Sequence, residues 1–165
     1  MREKKIYNMK RILLVSSFLA IIFGTVLIGG GIWGLTFTYK NVARENITTP
    51  DDASIPGVPV RGPFTLKAQA DIIRVHTLRM TGGKTFSEMP RQIPKLDETG
   101  KQILDEEGKA VMTSNTARDI WITATTLITA LNLGIFAYAF AGLTLLFGLF
   151  SILTGVIFYT LSRKY

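Results

Sequence analysis

The chain has 165 residues, 47% of them hydrophobic, a formal net charge of +7 and no cysteine. That apolar fraction exceeds what a solvated domain of this size needs, so much of it is expected to lie in lipid. The missing cysteines exclude thiolate catalysis, cysteine-ligated metal centres and disulfide bracing of an exported segment.

The basic excess is confined to the two ends. Residues 1–11 carry Arg2, Lys4, Lys5, Lys10 and Arg11 against Glu3, and Arg163 and Lys164 lie close to the other end. Residues 40–119 hold 12 basic and 11 acidic side chains and are nearly neutral. Lys and Arg beside apolar spans mark cytoplasmic flanks, so both termini are expected in the cytoplasm of a bacterial cell, and nucleic acid is not an expected partner.

After the basic segment 1–11, residues 12–39 contain no charge. About 20 apolar residues cross roughly 30 Å of hydrocarbon, so this stretch is long enough to span. It is also too long for a typical signal core and lacks a small-x-small cleavage site, so it is expected to stay as transmembrane helix 1. Tyr7 near one end and Trp33, Phe37 and Tyr39 near the other suit the headgroup zones.

Residues 40–119 then form the expected exoplasmic domain. Pro50, Pro56, Pro59 and Pro63, with Asp51, Asp52, Gly57 and Gly62, predict an extended strap over 41–63. Thr65 as N-cap and Gly82 as stop predict an amphipathic helix over 66–81, with Lys67 and Asp71 placed to pair. Its apolar residues Ile72, Ile73, Val75, Leu78 and Met80 need a cover. Ile72, Ile73, Val75 and Leu78, with Trp121, are therefore the candidate partner contacts, and Ile120, Trp121, Leu127 and Ile128 are the nearest covering residues. Leu96-Asp-Glu-Thr-Gly-Lys-Gln-Ile103 is followed at once by Leu104-Asp-Glu-Glu-Gly-Lys-Ala-Val111, a repeat that predicts paired β-turns or a small hairpin over 96–111.

The second uncharged stretch, residues 120–162, is too long for one crossing, since 43 helical residues run about 64 Å. Asn132 with Gly134 is the one place read as a break, and 120–131 is too short to span, so two crossings are not expected. The reading is one helix, or two nearly collinear ones: a threonine-rich extension over 120–135, transmembrane helix 2 over 136–161, and a cytoplasmic end over 162–165. The fold class is thus all-α membrane: two transmembrane helices in an antiparallel hairpin with a small exoplasmic helix-and-loop domain.

Both spans carry a stripe of small residues. In the second these are Gly134, Ala137, Ala141, Thr144, Gly148, Ser151 and Gly155; in the first, Ser17, Ala20, Gly24, Gly31 and Gly34, with Leu27 the one large member. Lipid tails are as apolar as leucine, so helices in a membrane associate by close backbone approach, which small residues permit. The stripes are read as a packing seam, and their seven-residue period implies a left-handed crossing.

Motifs that carry chemistry are scarce. Gly83-Lys84-Thr85 resembles the end of a phosphate loop, but Leu78 stands where the loop needs glycine. The acids of the repeat lack the alternate-position order of a calcium loop. No Gly-x-Ser-x-Gly is present. Asn46-Ile47-Thr48 fits a glycosylation sequon without meaning in a bacterial chain. His76 is the only histidine; a lone histidine on a helix is more often a structural hydrogen-bonder and cannot by itself build a zinc or iron site, the alternative being an axial ligand to a pigment or haem of a neighbouring chain. No cofactor and no enzyme activity are expected.

The run Gly62-Pro63-Phe64-Thr65, Ala68-Gln69-Ala70-Asp71-Ile72-Ile73, His76 and Thr81-Gly82-Gly83-Lys84-Thr85-Phe86 to Glu88 resembles a family of small two-span bacterial membrane proteins. The resemblance is specific over 62–88 and implies the two-span plan; the repeat 96–111 departs from it as an insertion. Members are often assigned an aromatic ring-opening dioxygenase activity. That activity needs iron held by several ligands, commonly two histidines and a carboxylate, which a single His76 cannot supply.

The function expected from these features is that of a non-catalytic accessory or scaffolding subunit in a larger membrane complex, for example a respiratory or photosynthetic one. The alternative is a homo-oligomeric membrane protein that binds or senses an exoplasmic ligand. The expected partners are the lipid bilayer and other membrane subunits or further copies of the chain.

Overall fold

The computed structural model describes residues 2–164, with side chains from Ile6 onward. The flanking side chains of Arg2, Lys4 and Lys5, and Tyr165, lie outside the described residues. The element order is α1 (Arg2–Arg44), α2 (Pro63–Met80), a 3-10 turn (Phe86–Glu88), β1 (Gln92–Pro94), β2 (Met112–Ser114) and α3 (Thr116–Ser162). Both α1 and α3 are long and apolar enough to cross a membrane. The chain divides into two compact units. One is drawn from the chain up to Ile47, from Arg61–Pro63 and from Gly134 onward; the other comprises Thr48–Val60 and Phe64–Leu133.

The first unit is built on the pairing of α1 with the C-terminal part of α3. Helix α1 outruns its uncharged stretch at both ends, because no proline or glycine interrupts the polar flanks. It stops where the Glu45 and Asn46 amides turn back to the Val42 and Ala43 carbonyls, with Asn46 at φ 50°. Asn tolerates this left-handed conformation better than most side chains, which suits it to end a helix. Helix α3 runs unbroken through Asn132 and Gly134. Along the pair, Ser17 meets Gly155, Gly24 meets Gly148 and Gly31 meets Ala141. One series rises by seven as the other falls by seven, so the two helices are antiparallel.

In the second unit, the segment expected as an extended strap is a closed loop. Thr49 causes this: its amide donates to the Val58 carbonyl at 3.0 Å, its hydroxyl accepts from the Val58 amide at 3.1 Å, and Thr48 pairs with Pro59. Four prolines restrict the local dihedral angles but leave the ends free to meet. Helix α2 starts at Pro63, three residues before the expected body, because proline suits the first turn, where an amide would lack a partner.

The all-α expectation is amended by β1 and β2, which pair antiparallel with Gln92 opposite Ser114. The repeat between them forms two tandem turns, closed by bridges from Leu96 to Gln102 and from Leu104 to Ala110. In each, the acid caps the turn: Asp97 Oδ1 accepts the Thr99 and Lys101 amides, and Asp105 Oδ1 the Glu107 and Lys109 amides. Gly100 and Gly108 take φ of 81° and 79°, which a side chain would strain. Three backbone bonds then close a ring at eight-residue intervals. The Lys95 amide donates to the Val111 carbonyl, Val111 to Ile103, and Ile103 to Lys95, at 2.7, 2.8 and 2.9 Å.

Asn115 and Arg118 join this module to α3. Asn115 is buried; its Oδ1 accepts from the Ala117 amide as the helix cap, while its Nδ2 donates to the Pro90 carbonyl. The Arg118 guanidinium donates to the Phe86 and Met89 carbonyls and stacks 3.7 Å from the Phe86 ring centre.

Candidate functional site

The small-residue seam is the most tightly built feature of the first unit, and the chain's own two helices fill it. A Cβ added at Gly24 would stand 2.6 Å from the Gly148 carbonyl oxygen; one added at Gly148 would stand 2.9 Å from that of Gly24; and one at Gly155 would meet the Ser17 carbonyl at 2.9 Å. These are main-chain atoms of the opposite helix and cannot swing aside. Two hydroxyls fasten the approach: Ser17 Oγ donates to the Gly155 carbonyl at 2.7 Å, and Ser151 Oγ to that of Ala20 at 2.8 Å. Gly31 admits the Leu145 side chain, and Gly34 lies 3.2 Å from the Ala141 Cβ by the same measure.

Not every member of the expected stripe takes part. Ala137 is exposed, because an i+3 step from Gly134 rotates it away while Ala141 completes the buried heptad. Thr144 and Gly134 are half-buried, and Thr144 turns its hydroxyl to Phe140 within its own helix. Leu27 is also half-buried, and Ile28 is the residue against Gly148. Thr38 and Ser162, each one heptad beyond the glycines, are buried and were not in the expected set. A strict seven-residue step from Gly31 and Gly155 finds them, whereas a scan for glycine and alanine does not. Gly29, Gly30 and Gly142 face open space.

In the second unit, α2 buries a face that hydropathy alone does not select. Leu66, Ala68, Ala70, Ile72 and Thr77 are buried, whereas Val75 and Met80 are 47% and 60% exposed. Of the candidate partner contacts, Ile72 is thus buried, Ile73, Leu78 and Trp121 are half-buried, and only Val75 is freely presented. Trp121 lies 5.5 Å from the Arg74 guanidinium, a cation–π contact.

His76 holds the 48–60 loop rather than an open coordination position. Its Nε2 lies 2.7 Å from Asp52 Oδ2 on that loop. The hydrogen bond from His76, reinforced by the charges of His76 and Arg79, holds the Asp52 carboxyl below its ordinary range. The Gly-Lys-Thr motif is likewise used locally. Glu88 accepts from both the hydroxyl and the amide of Thr85, which lowers the Glu88 pKa in that order of effect. Among the described residues no group of three His, Cys, Asp or Glu is placed to hold a metal ion.

Two clefts flank the N-terminal part of α3. One, of about 450 Å³, is lined from α2 by Ile73, His76, Thr77 and Met80. Its α3 side is Asp119, Ile120, Thr123, Ala124 and Leu127. The other, of about 580 Å³, runs from Phe86 and Trp121 past Thr125 and Thr129 to Leu133. Sequence reasoning set the threonines of 123–129 outside lipid without foreseeing that they line clefts. Comparison with protein-family profiles, with curated proteins and with solved structures finds no match to this chain.

Proposed function

We propose that the chain is a non-catalytic accessory subunit of a larger bacterial plasma-membrane assembly, crossing the membrane twice as a helical hairpin with both termini cytoplasmic. One observation carries this reading: the uncharged part of α3, residues 120–162, is about twice as long as the roughly 20 residues that cross a bilayer. The seam, continued by one heptad from Gly31 and Ala141, brings Thr38 to Gly134, yet α3 stays uncharged back to Ile120. Over those added turns Ile122, Leu127 and Leu133 remain exposed. Exposed apolar surface in that position calls for a protein cover. The seam itself is spent within the chain, so the expected route of association through it gives way to association through this extension of α3.

Purification in mild detergent followed by native mass analysis tests the reading. A stoichiometric foreign subunit is the expected result, and a bare monomer would refute it. Reporter fusions at Tyr165 and within Lys95–Lys109 test the orientation: the former should report cytoplasm and the latter the opposite side.

A second reading, a homo-oligomeric exoplasmic ligand-binding protein, is favoured by the 450 Å³ cleft, whose size falls within the roughly 300–1,000 Å³ of small-molecule sites. Mass analysis showing only copies of this chain would select it.

A further inference from the structure

The cleft between α2 and the start of α3 has a chemical character that narrows what it can hold. Its floor is closed, since Thr77 and Ala124 are buried. Its walls are aliphatic: Ile73 and Met80 on one side, Ile120 and Leu127 on the other. Met80 and Leu127 are 60% and 48% exposed, so an apolar body placed between them would remove hydrocarbon from water.

Four polar side chains line the same cleft, His76, Thr77, Asp119 and Thr123, and the Thr77 hydroxyl is committed to the Ile73 carbonyl. His76 is fixed through Nε2 by Asp52. Asp119 carries the only formal negative charge of the lining. Two cations of α2 are engaged elsewhere: Lys67 pairs with Asp71, and Arg74 lies over Trp121. Among the described residues Asp119 has no ion pair or side-chain hydrogen bond. The Asp119 carboxylate therefore offers acceptors that no donor among the described residues takes up.

We propose that this cleft binds a small organic amine, its ammonium group on Asp119, its apolar body between Met80 and Leu127. The inference rests on the ligand-binding reading and names the class of ligand. A carboxylate of the same shape is excluded by repulsion from Asp119, and a neutral alcohol forgoes the charge-assisted bond.

The test uses the full chain in lipid nanodiscs, titrated calorimetrically with 2-phenylethylamine, phenylacetate and 2-phenylethanol, with empty nanodiscs as reference. The amine should bind at least tenfold more tightly than either analogue. Asp119→Asn should remove that tenfold preference. Leu127→Trp and Thr123→Met, which fill the cleft, should abolish binding while helical circular dichroism is retained. Equal binding of the three probes, sensitive to Leu127→Trp, would overturn the amine while leaving a ligand site in place. Absence of binding by all three would overturn both.

Discussion

Ser17 and Gly155, 138 residues apart in sequence, are joined by a 2.7 Å hydrogen bond from the buried serine hydroxyl to the glycine carbonyl. Ser151 repeats the arrangement in the opposite direction, onto Ala20. Each bond requires the helices to be close, and the closeness comes from the glycines. Ser17→Ala and Ser151→Ala should each lower resistance to unfolding in mixed micelles by about 0.6 kcal/mol, the average for such bonds in membranes. The double variant should lose the sum, because the hydroxyls share no partner.

A larger effect belongs to Gly148. Gly148→Leu sets a side chain against the Gly24 carbonyl and the Ile28 backbone, whereas a Cβ at Gly142 meets nothing within 4 Å, which makes Gly142→Leu the control. The first should cost about 1–3 kcal/mol, as overpacking does in cores, and the second close to nothing. Unfolding titrations of the pair check this, and equal stabilities would contradict the close approach.

Acid should loosen the 48–60 loop. The Asp52 carboxyl is held below its ordinary range chiefly by the hydrogen bond from His76. A carboxyl lowered in the folded state contributes stability that is complete above its unfolded pKa and is lost as pH falls through the lowered folded value. Amide exchange over Thr48–Val60 should therefore quicken below the ordinary carboxylate range. Asp52→Asn should remove that pH dependence from the loop while leaving that of Asp97, which is also lowered, first by the Thr99 hydroxyl.

The twin turns should respond separately. Asp97 accepts from the Thr99 amide and hydroxyl and from the Lys101 amide, and Asp105 makes the corresponding amide bonds in its own unit. Asp97→Ala should speed amide exchange over Leu96–Gln102, and Asp105→Ala over Leu104–Ala110. Protection at Val111, whose amide belongs to the ring, should fall with Asp105→Ala before it falls with Asp97→Ala.

The two long helices were legible because charge is conspicuous by its absence: uncharged runs of 28 and 43 residues each exceed the length that crosses a bilayer. The seam was legible in period but not in membership. Glycine and alanine recur on neighbouring faces, and only register separates Ala141, which is buried, from Ala137, which is exposed. The buried face of α2 was illegible for a related reason. Ala68, Ala70 and Thr77 have weak hydropathy signals, yet they fit where Val75 and Met80 do not. The closed loop at 48–60 is held by backbone pairing of Thr48 and Thr49 with Val58 and Pro59, and the clefts depend on tertiary placement that no local pattern encodes.

The amides and carbonyls that tie Lys95, Ile103 and Val111 into a ring, together with the Asn115 amide bonded to the Arg91 carbonyl at 3.1 Å, make the chain leave and return at one point. A segment whose ends already touch is an appendix to the path of the backbone rather than a link in it. Added length at its tips adds only a slowly growing closure entropy and displaces nothing that lies before Arg91 or after Asn115. The acidic repeat is thus the place where this protein can gain or shed sequence, and a peptide tag inserted between Gly100 and Lys101 would ride on it as a label that the rest of the molecule does not feel.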